Sequence, residues 1–75
     1  MSEIIPIGEL IKQKLKASDR NISWLAKKAN CDRSNFYKKL KDNNIETDLL
    51  FRISEILQED FFACYSEILR SKIDH

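Results

Sequence analysis

The sequence predicts an all-α fold of about five short helices, and three observations support this. Apolar residues recur every three or four positions along most of the chain, which is the spacing of one helix face. No segment shows the strict apolar–polar alternation of a half-buried β-strand. Glycine and proline occur once each in 75 residues, which leaves few positions for tight hairpin turns. A chain of this length is expected to form one small domain, over residues 7–73.

The first helix is expected to follow a flexible leader, residues 1–6. Pro6 suits a first helical turn because its missing N–H is not needed there. A helix over residues 7–17 is predicted from an apolar stripe at positions i, i+3, i+4 and i+8. This stripe consists of Ile7, Leu10, Ile11 and Leu15.

The second helix is expected to begin after Asn21, a favourable N-cap residue, with Ser23 as the competing cap. Asn30 is predicted to end it, because asparagine tolerates a left-handed backbone better than most residues. Cys31 is then expected to fill the turn as a small apolar side chain. The buried side of this helix would hold Ile22, Leu25, Ala26 and Ala29.

The third helix is predicted over residues 33–41, with Asp32 as its N-cap. Phe36 and Leu40 are its clear core anchors, and the remaining residues are polar, basic or aromatic. A helix this short is marginal in water and must be held by packing.

The last two helices are predicted over residues 48–57 and 61–73, with Thr47 as the cap of the fourth and residues 74–75 as a tail. Both are rich in apolar residues. Those of the fourth helix are Leu49, Leu50, Ile53, Ile56 and Leu57. Those of the fifth are Phe61, Phe62, Tyr65, Ile68, Leu69 and Ile73.

Several classes of function are not expected. Cys31 and Cys64 lack the density or spacing of a disulfide scaffold or a zinc site, and suit a reducing cytosol as small buried hydrophobes. The sequence contains no signal-peptide pattern and no apolar run long enough to span a bilayer, so a cytoplasmic protein is expected. The single histidine is His75, and no nucleophile–base pair or phosphate loop is visible. An enzyme, a metal and a cofactor are therefore not expected.

The charge distribution is polarised although the net charge is only +1. Residues 12–41 contain ten basic and two acidic residues, a local charge of +8, whereas residues 42–75 contain three basic and eight acidic residues, a charge of −5. Such a chain has one part suited to a polyanion and another that repels it. The asymmetry favours a nucleic-acid partner over simple solvation of helix surfaces.

Residues 22–41 resemble the helix-turn-helix of the Cro and phage-repressor (XRE) family. The family places an alanine on its second helix, a glycine four residues later, an apolar residue, and then an apolar anchor on the recognition helix. Ala26, Asn30, Cys31 and Phe36 stand at those places. The stretch IETDLLFRISEILQEDFF is similar to the family's fourth helix, and WLA with CDRSNFYKKL is most like short single-domain Bacteroidetes-type bacterial members. The resemblance covers about residues 7–69.

This resemblance implies a lambda-repressor-like domain that binds double-stranded DNA as a repressor-like transcriptional regulator. Asn30 replaces the turn glycine, and Ile22 stands where the family often has a polar residue, so one common contact is expected to be absent. The helix over 33–41 would read the major groove. Its base-reading residues would be Arg33, Ser34, Asn35, Tyr37 and Lys38. Phosphates would be bound by Asn21, Ser23, Lys27, Lys28 and Lys41.

Arg33 is the leading base reader, because its planar fork can bond guanine O6 and N7 together. Ser34 and Asn35 suit a base or a phosphate equally. Tyr37 would either touch a thymine methyl or pack beside the first helix. Trp24 would either take a core role or donate its indole N–H to the DNA backbone.

A homodimer is expected, because one such domain reads only a few base pairs. Its candidate seam on the fifth helix is Phe62, Tyr65, Leu69 and Ile73, and the alternative is that these residues close the core. The rival function is a small protein-interaction module, antitoxin-like or an accessory factor, with weak or no specific DNA binding. No small-molecule effector is expected.

Overall fold

The chain folds into five α-helices and contains no strand within residues 5–74, the part that the structure, a computed structural model, describes. The helices are α1 (Ile7–Ala17), α2 (Ile22–Lys28), α3 (Arg33–Lys41), α4 (Thr47–Leu57) and α5 (Phe62–Ile73). The all-α prediction is confirmed, and the predicted bounds of α1 and α3 agree with the structure. Four residues of the predicted leader, 1–4, and His75 of the predicted tail lie outside the described residues.

The core is formed by the apolar faces of α1 to α4 together with Phe61, which precedes α5. α3 contacts both α1 and α2, and α2 also contacts α4. Ile5, which the sequence assigned to the leader, packs partly buried against this core. Cys31 and Ile56, expected inside, are also only partly buried. The buried members are Ile7, Ile11, Leu15, Leu25, Ala26, Ala29, Phe36, Leu40, Leu49, Leu50, Ile53, Leu57 and Phe61.

Two predicted N-caps are confirmed. The Asn21 side chain accepts a hydrogen bond from the Trp24 N–H at 2.8 Å, and the Asp32 carboxylate accepts one from the Asn35 N–H at 3.2 Å. Both residues have extended backbones, which let the side chain turn back over the first turn.

The predicted cap of α4 is wrong, because Thr47 is already the first residue of that helix. Glu46 occupies the N-cap position with an extended backbone and makes no side-chain cap bond. Its carboxylate is instead paired with the Lys39 ammonium on α3. The expected cap is therefore replaced by an ion pair between the loop and α3.

The first four helices end in the same way without a glycine. In each, the N–H of the residue that follows a left-handed residue bonds to a carbonyl five residues earlier, as in a Schellman motif. The left-handed residues are Asp19, Asn30, Asn43 and Gln58, with φ between 52° and 57°. The prediction for Asn30 is confirmed, and three further turns use the same conformation.

Gly8 is the contact point between α1 and α3. A Cβ at this position would lie 1.9 Å from the Leu40 carbonyl oxygen, so no larger residue fits without movement of the backbone. The Gly8 N–H also donates to the Asn43 side-chain oxygen at 2.9 Å. The first turn of α1 is thereby fixed against the C-terminal end of α3.

The C-terminal end of α2 is held by α4. The Arg52 guanidinium donates to the Ala29 carbonyl oxygen at 3.0 Å, one of the carbonyls that the end of α2 leaves without a helical partner. This bond and the Gly8 contact fix α2 and α3 relative to the rest of the core.

α5 differs from the other helices because none of its residues is fully buried. The carboxylate of Asp60 accepts from the N–H groups of Phe62 and Ala63, at 3.0 and 3.2 Å. Phe61, the residue before the helix, is the one that enters the core. α5 is thus attached mainly at its N-terminal end.

Candidate nucleic-acid interface

The exposed surface of α3 is built on two buried residues. Phe36 and Leu40 are 1% and 2% exposed and fix one face of the helix in the core. Ser34, Lys38 and Lys41 follow the i, i+4, i+7 spacing on the opposite side. All five side chains predicted to read bases are exposed.

The first turn of α3 leaves its polar side chains free. Asp32 caps the helix through the backbone of Asn35, so the Asn35 side chain is not used by the cap. Asn35 and Ser34 make no side-chain hydrogen bond to the described part of the chain. Both can therefore meet a ligand without breaking an internal contact.

Arg33 lies against an aromatic ring. Its guanidinium carbon is 5.8 Å from the centre of the Tyr37 ring, one helical turn further along. Tyr37 is 41% exposed and lines a surface groove with the C-terminal half of α1. Of the two predicted positions of Tyr37, the structure shows the one beside α1. The other residues of this groove are Lys12, Leu15, Lys16, Arg20, Asn21 and Ile22.

A second group of cations surrounds Trp24. The guanidinium of Arg20 lies 4.8 Å from the indole centre, and the Lys28 ammonium lies 5.9 Å from it. The Trp24 side chain is partly buried against the core, yet its indole Nε1–H has no acceptor within residues 5–74. Sequence reasoning did not include Arg20 in the site, because Arg20 lies before the N-cap of α2 and outside the helical face that Trp24 and Lys28 share.

The residues predicted to bind phosphates differ in their exposure and in whether their polar groups are already hydrogen-bonded. Lys27, Lys28 and Lys41 are exposed, whereas Ser23 is only half-buried. Asn21 uses its side-chain oxygen as the cap of α2, which leaves its amide N–H groups as donors. Four of the five residues therefore present a donor on the surface.

Some basic side chains form ion pairs with acidic residues, and the predicted contact residues do not. Lys12 pairs with Glu9 at 3.5 Å and Lys14 with Glu59 at 3.3 Å, and Lys39 pairs with Glu46. The predicted contact cations have no acidic partner within the described range 5–74. These cations are Lys27, Lys28, Arg33, Lys38 and Lys41.

The acidic residue Asp19 lies beside the cations that surround Trp24. Asp19 lines a polar pocket together with Arg20, Asn21 and Trp24, and it forms no ion pair with them. A phosphate close to this pocket would meet the cations of the α2 surface and a repulsive carboxylate. The pocket itself is therefore a poorer anion site than the exposed face of α3.

The predicted dimer residues form a separate apolar stripe on α5. Leu69 and Ile73 are 56% and 67% exposed, so they do not close the core. Phe62 and Tyr65 line a groove with Ile45, which precedes α4, and with Thr47 and Leu50 at the start of α4. Burial raises the pKa of the Tyr65 phenol, and the negative charge of a Cys64 thiolate raises it further.

Within residues 5–74 no group of three or more His, Cys, Asp or Glu side chains is arranged to hold a metal ion. Cys31 and Cys64 are both free and half-buried. In the same range, none of the helices has the length and apolar content needed to cross a bilayer.

Compared with family models, curated proteins and solved structures, the chain matches none.

Proposed function

We propose that this protein binds double-stranded DNA in a sequence-specific manner and acts as a repressor-like transcriptional regulator. The observation that carries the proposal is the exposed face of α3, whose cations Arg33, Lys38 and Lys41 have no acidic partner within residues 5–74. Unpaired cations on one rigid face are the electrostatic feature of a polyanion site, because each bound phosphate replaces a counterion instead of an internal ion pair.

Base reading is assigned to the N-terminal half of α3. The major groove admits an α-helix, and the first residues of a recognition helix meet the base edges. Arg33 offers a bidentate donor for guanine, and Ser34 and Asn35 have free polar side chains in the same turn. Lys38 lies one turn beyond Ser34 and would reach either a base or a phosphate.

Backbone binding is assigned to α2 and to the end of α3. Asn21, Lys27, Lys28 and Lys41 would contact phosphates, and Ser23 would contribute less because it is half-buried. The cations around Trp24 extend this surface. Such contacts set affinity and salt dependence without reading sequence.

Selection of bound sequences from a random duplex pool at two salt concentrations tests the proposal directly. If the protein is such a regulator, one defined sequence should be enriched, and the protein should still bind this sequence at the higher salt concentration. Arg33→Ala is then expected to lower the preference for one base pair by about 1–3 kcal/mol. Lys41→Ala is expected to weaken all sequences alike and to reduce the salt slope by about one.

Arg70→Ala on α5 is the matched control, since it removes the same charge as Arg33→Ala from another helix. It should leave the preference unchanged. No enriched sequence at either salt concentration would contradict the proposal, and an Arg33→Ala protein with an unchanged base preference would contradict the assignment of Arg33.

The α5 stripe supports a homodimer as the DNA-binding form. An exposed apolar face on a small protein is usually covered by a partner. A second copy fits the need to bind two half-sites about one helical turn apart. Leu69→Lys should abolish self-association in sedimentation equilibrium and cooperative DNA binding. A wild-type protein that stays monomeric both free and on DNA would contradict the dimer.

The same stripe is the observation that favours the second candidate, a protein-interaction module. In that case α5 would bind a different protein, and DNA binding would be weak and without preference. The duplex selection separates the two functions. Enrichment of one site together with self-association supports the regulator. If no site is enriched and the protein does not self-associate, the interaction module is supported.

A further inference from the structure

Tyr37 is placed between a fixed element and a free cation. Its side chain lines a groove together with Leu15 and Lys16 of α1, and Arg33 lies over the ring. Leu15 is buried in the core, so α1 provides a rigid wall for this groove. The ring therefore has less freedom than an unsupported surface tyrosine.

Arg33 needs such support if it is to read a base. An arginine side chain is long and flexible, and selective recognition requires that its planar fork be held in one orientation. An acidic neighbour would hold it but would consume its donors. A neutral ring attracts the cation and leaves N–H groups available for an acceptor. Within residues 5–74, Arg33 makes no ion pair, and Tyr37 is the aromatic residue that contacts it.

We propose that Tyr37 is a positioning residue for Arg33: its ring holds the guanidinium in the orientation that reads guanine. This inference rests on the proposed DNA binding and deepens it, since it names a second residue that determines the base preference. It also replaces the role of Tyr37 as a direct contact to a thymine methyl group.

The test compares Tyr37→Leu, Tyr37→Phe and Arg33→Ala on the selected site and on versions of it with each base pair changed. Loss of a cation–π contact at an exposed site corresponds to about a 2- to 5-fold effect. Tyr37→Leu should therefore lower the preference by about that factor at the base pair that Arg33→Ala affects. Tyr37→Phe should preserve the preference, because the ring remains.

The double variant gives the sharpest result. In the Arg33→Ala background, Tyr37→Leu should change nothing further at that base pair, because the side chain that the ring positions is gone. Phe51→Leu is the matched control, an exposed aromatic residue on α4 whose replacement should leave the preference unchanged. Thermal unfolding of each variant verifies that it is folded.

Three results would overturn the inference. Tyr37→Leu could leave the preference intact while Arg33→Ala removes it, or it could act at a different base pair. Replacing a thymine by uracil could weaken the wild type but not Tyr37→Leu, which would assign the ring to the thymine methyl. In all three cases specific DNA binding stands, whereas a duplex pool without enrichment removes the proposed function itself.

A measurement on the free protein keeps the inference testable without DNA. The side-chain protons of Arg33 should show an upfield ring-current shift in the NMR spectrum. This shift should persist in Tyr37→Phe and disappear in Tyr37→Leu. Equal Arg33 shifts in the wild type and in Tyr37→Leu would show that the ring does not hold the side chain, and the inference would fail.

Discussion

α3 and α5 both expose most of their residues, but they do so in opposite ways. α3 inserts Phe36 and Leu40 into the core and exposes polar and basic side chains. α5 has no buried residue and exposes Leu69 and Ile73. One helix is therefore held firmly and presents hydrogen-bond donors, and the other is held loosely and presents apolar area.

This difference indicates which helix a small core anchors and which it leaves exposed for a partner. A helix that reads bases must keep its side chains in fixed positions, because small displacements lose directional hydrogen bonds. A helix that meets a partner through apolar contacts gains its packing from the partner. The structure places the buried anchors in α3, whose proposed role needs them, and leaves α5 without them.

The largest expected effect compares one truncation in each helix. Phe36→Ala should lower the free energy of unfolding by about 3–5 kcal/mol, which is comparable to the whole stability of a domain of this size. Leu69→Ala removes an exposed side chain and should cost less than about 0.5 kcal/mol in the monomer. Urea unfolding followed by circular dichroism at low protein concentration measures both. Similar losses from the two variants would contradict the contrast between α3 and α5.

The second effect tests the contact that fixes α3 against α1. Gly8→Ala places a methyl group where the Leu40 carbonyl oxygen lies and disturbs the Gly8–Asn43 hydrogen bond. Overpacking of this kind costs about 1–3 kcal/mol. The unfolding midpoint should fall accordingly, while Glu9→Ala at the exposed neighbouring position should change it little. A Gly8→Ala protein as stable as the wild type would mean that α1 does not fix α3.

The third effect compares the N-terminal carboxylates of the two helices. Asp32→Ala removes the cap of α3 and should cost about 1 kcal/mol of global stability. Asp60→Ala removes the bonds to Phe62 and Ala63, but α5 contributes little to the core, so the loss should be mainly local. Hydrogen exchange should then accelerate in α5 amides only, with a smaller change in the global midpoint. Equal global losses would show that α5 is as firmly integrated as α3.

The sequence predicted α1 and α3 well because strong local signals agree there. The stripe from Ile7 to Leu15 defines α1, and Asp32 with Phe36 and Leu40 defines α3. The predictions for Asn21 and Asn30 were also correct, because a cap hydrogen bond and a left-handed backbone are both local features. These features depend on residues within one or two turns, which is the range that sequence patterns describe best.

The features that sequence reasoning missed depend on residues far apart in the chain. Glu46, and not Thr47, occupies the N-cap position of α4, and its carboxylate pairs with Lys39. Gly8 donates to Asn43 at the end of α3, which is 35 positions further along the chain. The position of Tyr37 beside α1 was one of two alternatives that the sequence left open, because this contact also joins residues far apart in the chain. For the candidate site, residue types and exposure were predictable, but the ring contacts of Arg33 and Arg20 required the structure.

The smallest effect concerns the pKa of Tyr65 and probes how well α5 is covered. Burial, and secondarily a Cys64 thiolate, raise the pKa of this phenol above its ordinary value of about 10. Because the folded state holds the proton more tightly, this contribution to stability is present below about pH 10 and is lost as pH rises through the folded pKa. Ultraviolet titration of Tyr37→Phe, in which Tyr65 is the remaining tyrosine, should give a pKa for Tyr65 above that of the unfolded chain.

If a second copy covers the α5 stripe, the pKa of Tyr65 should rise further as protein concentration increases, because more of the phenol is removed from water. A pKa equal to the unfolded value at every concentration would show that neither the core nor a partner covers this part of α5.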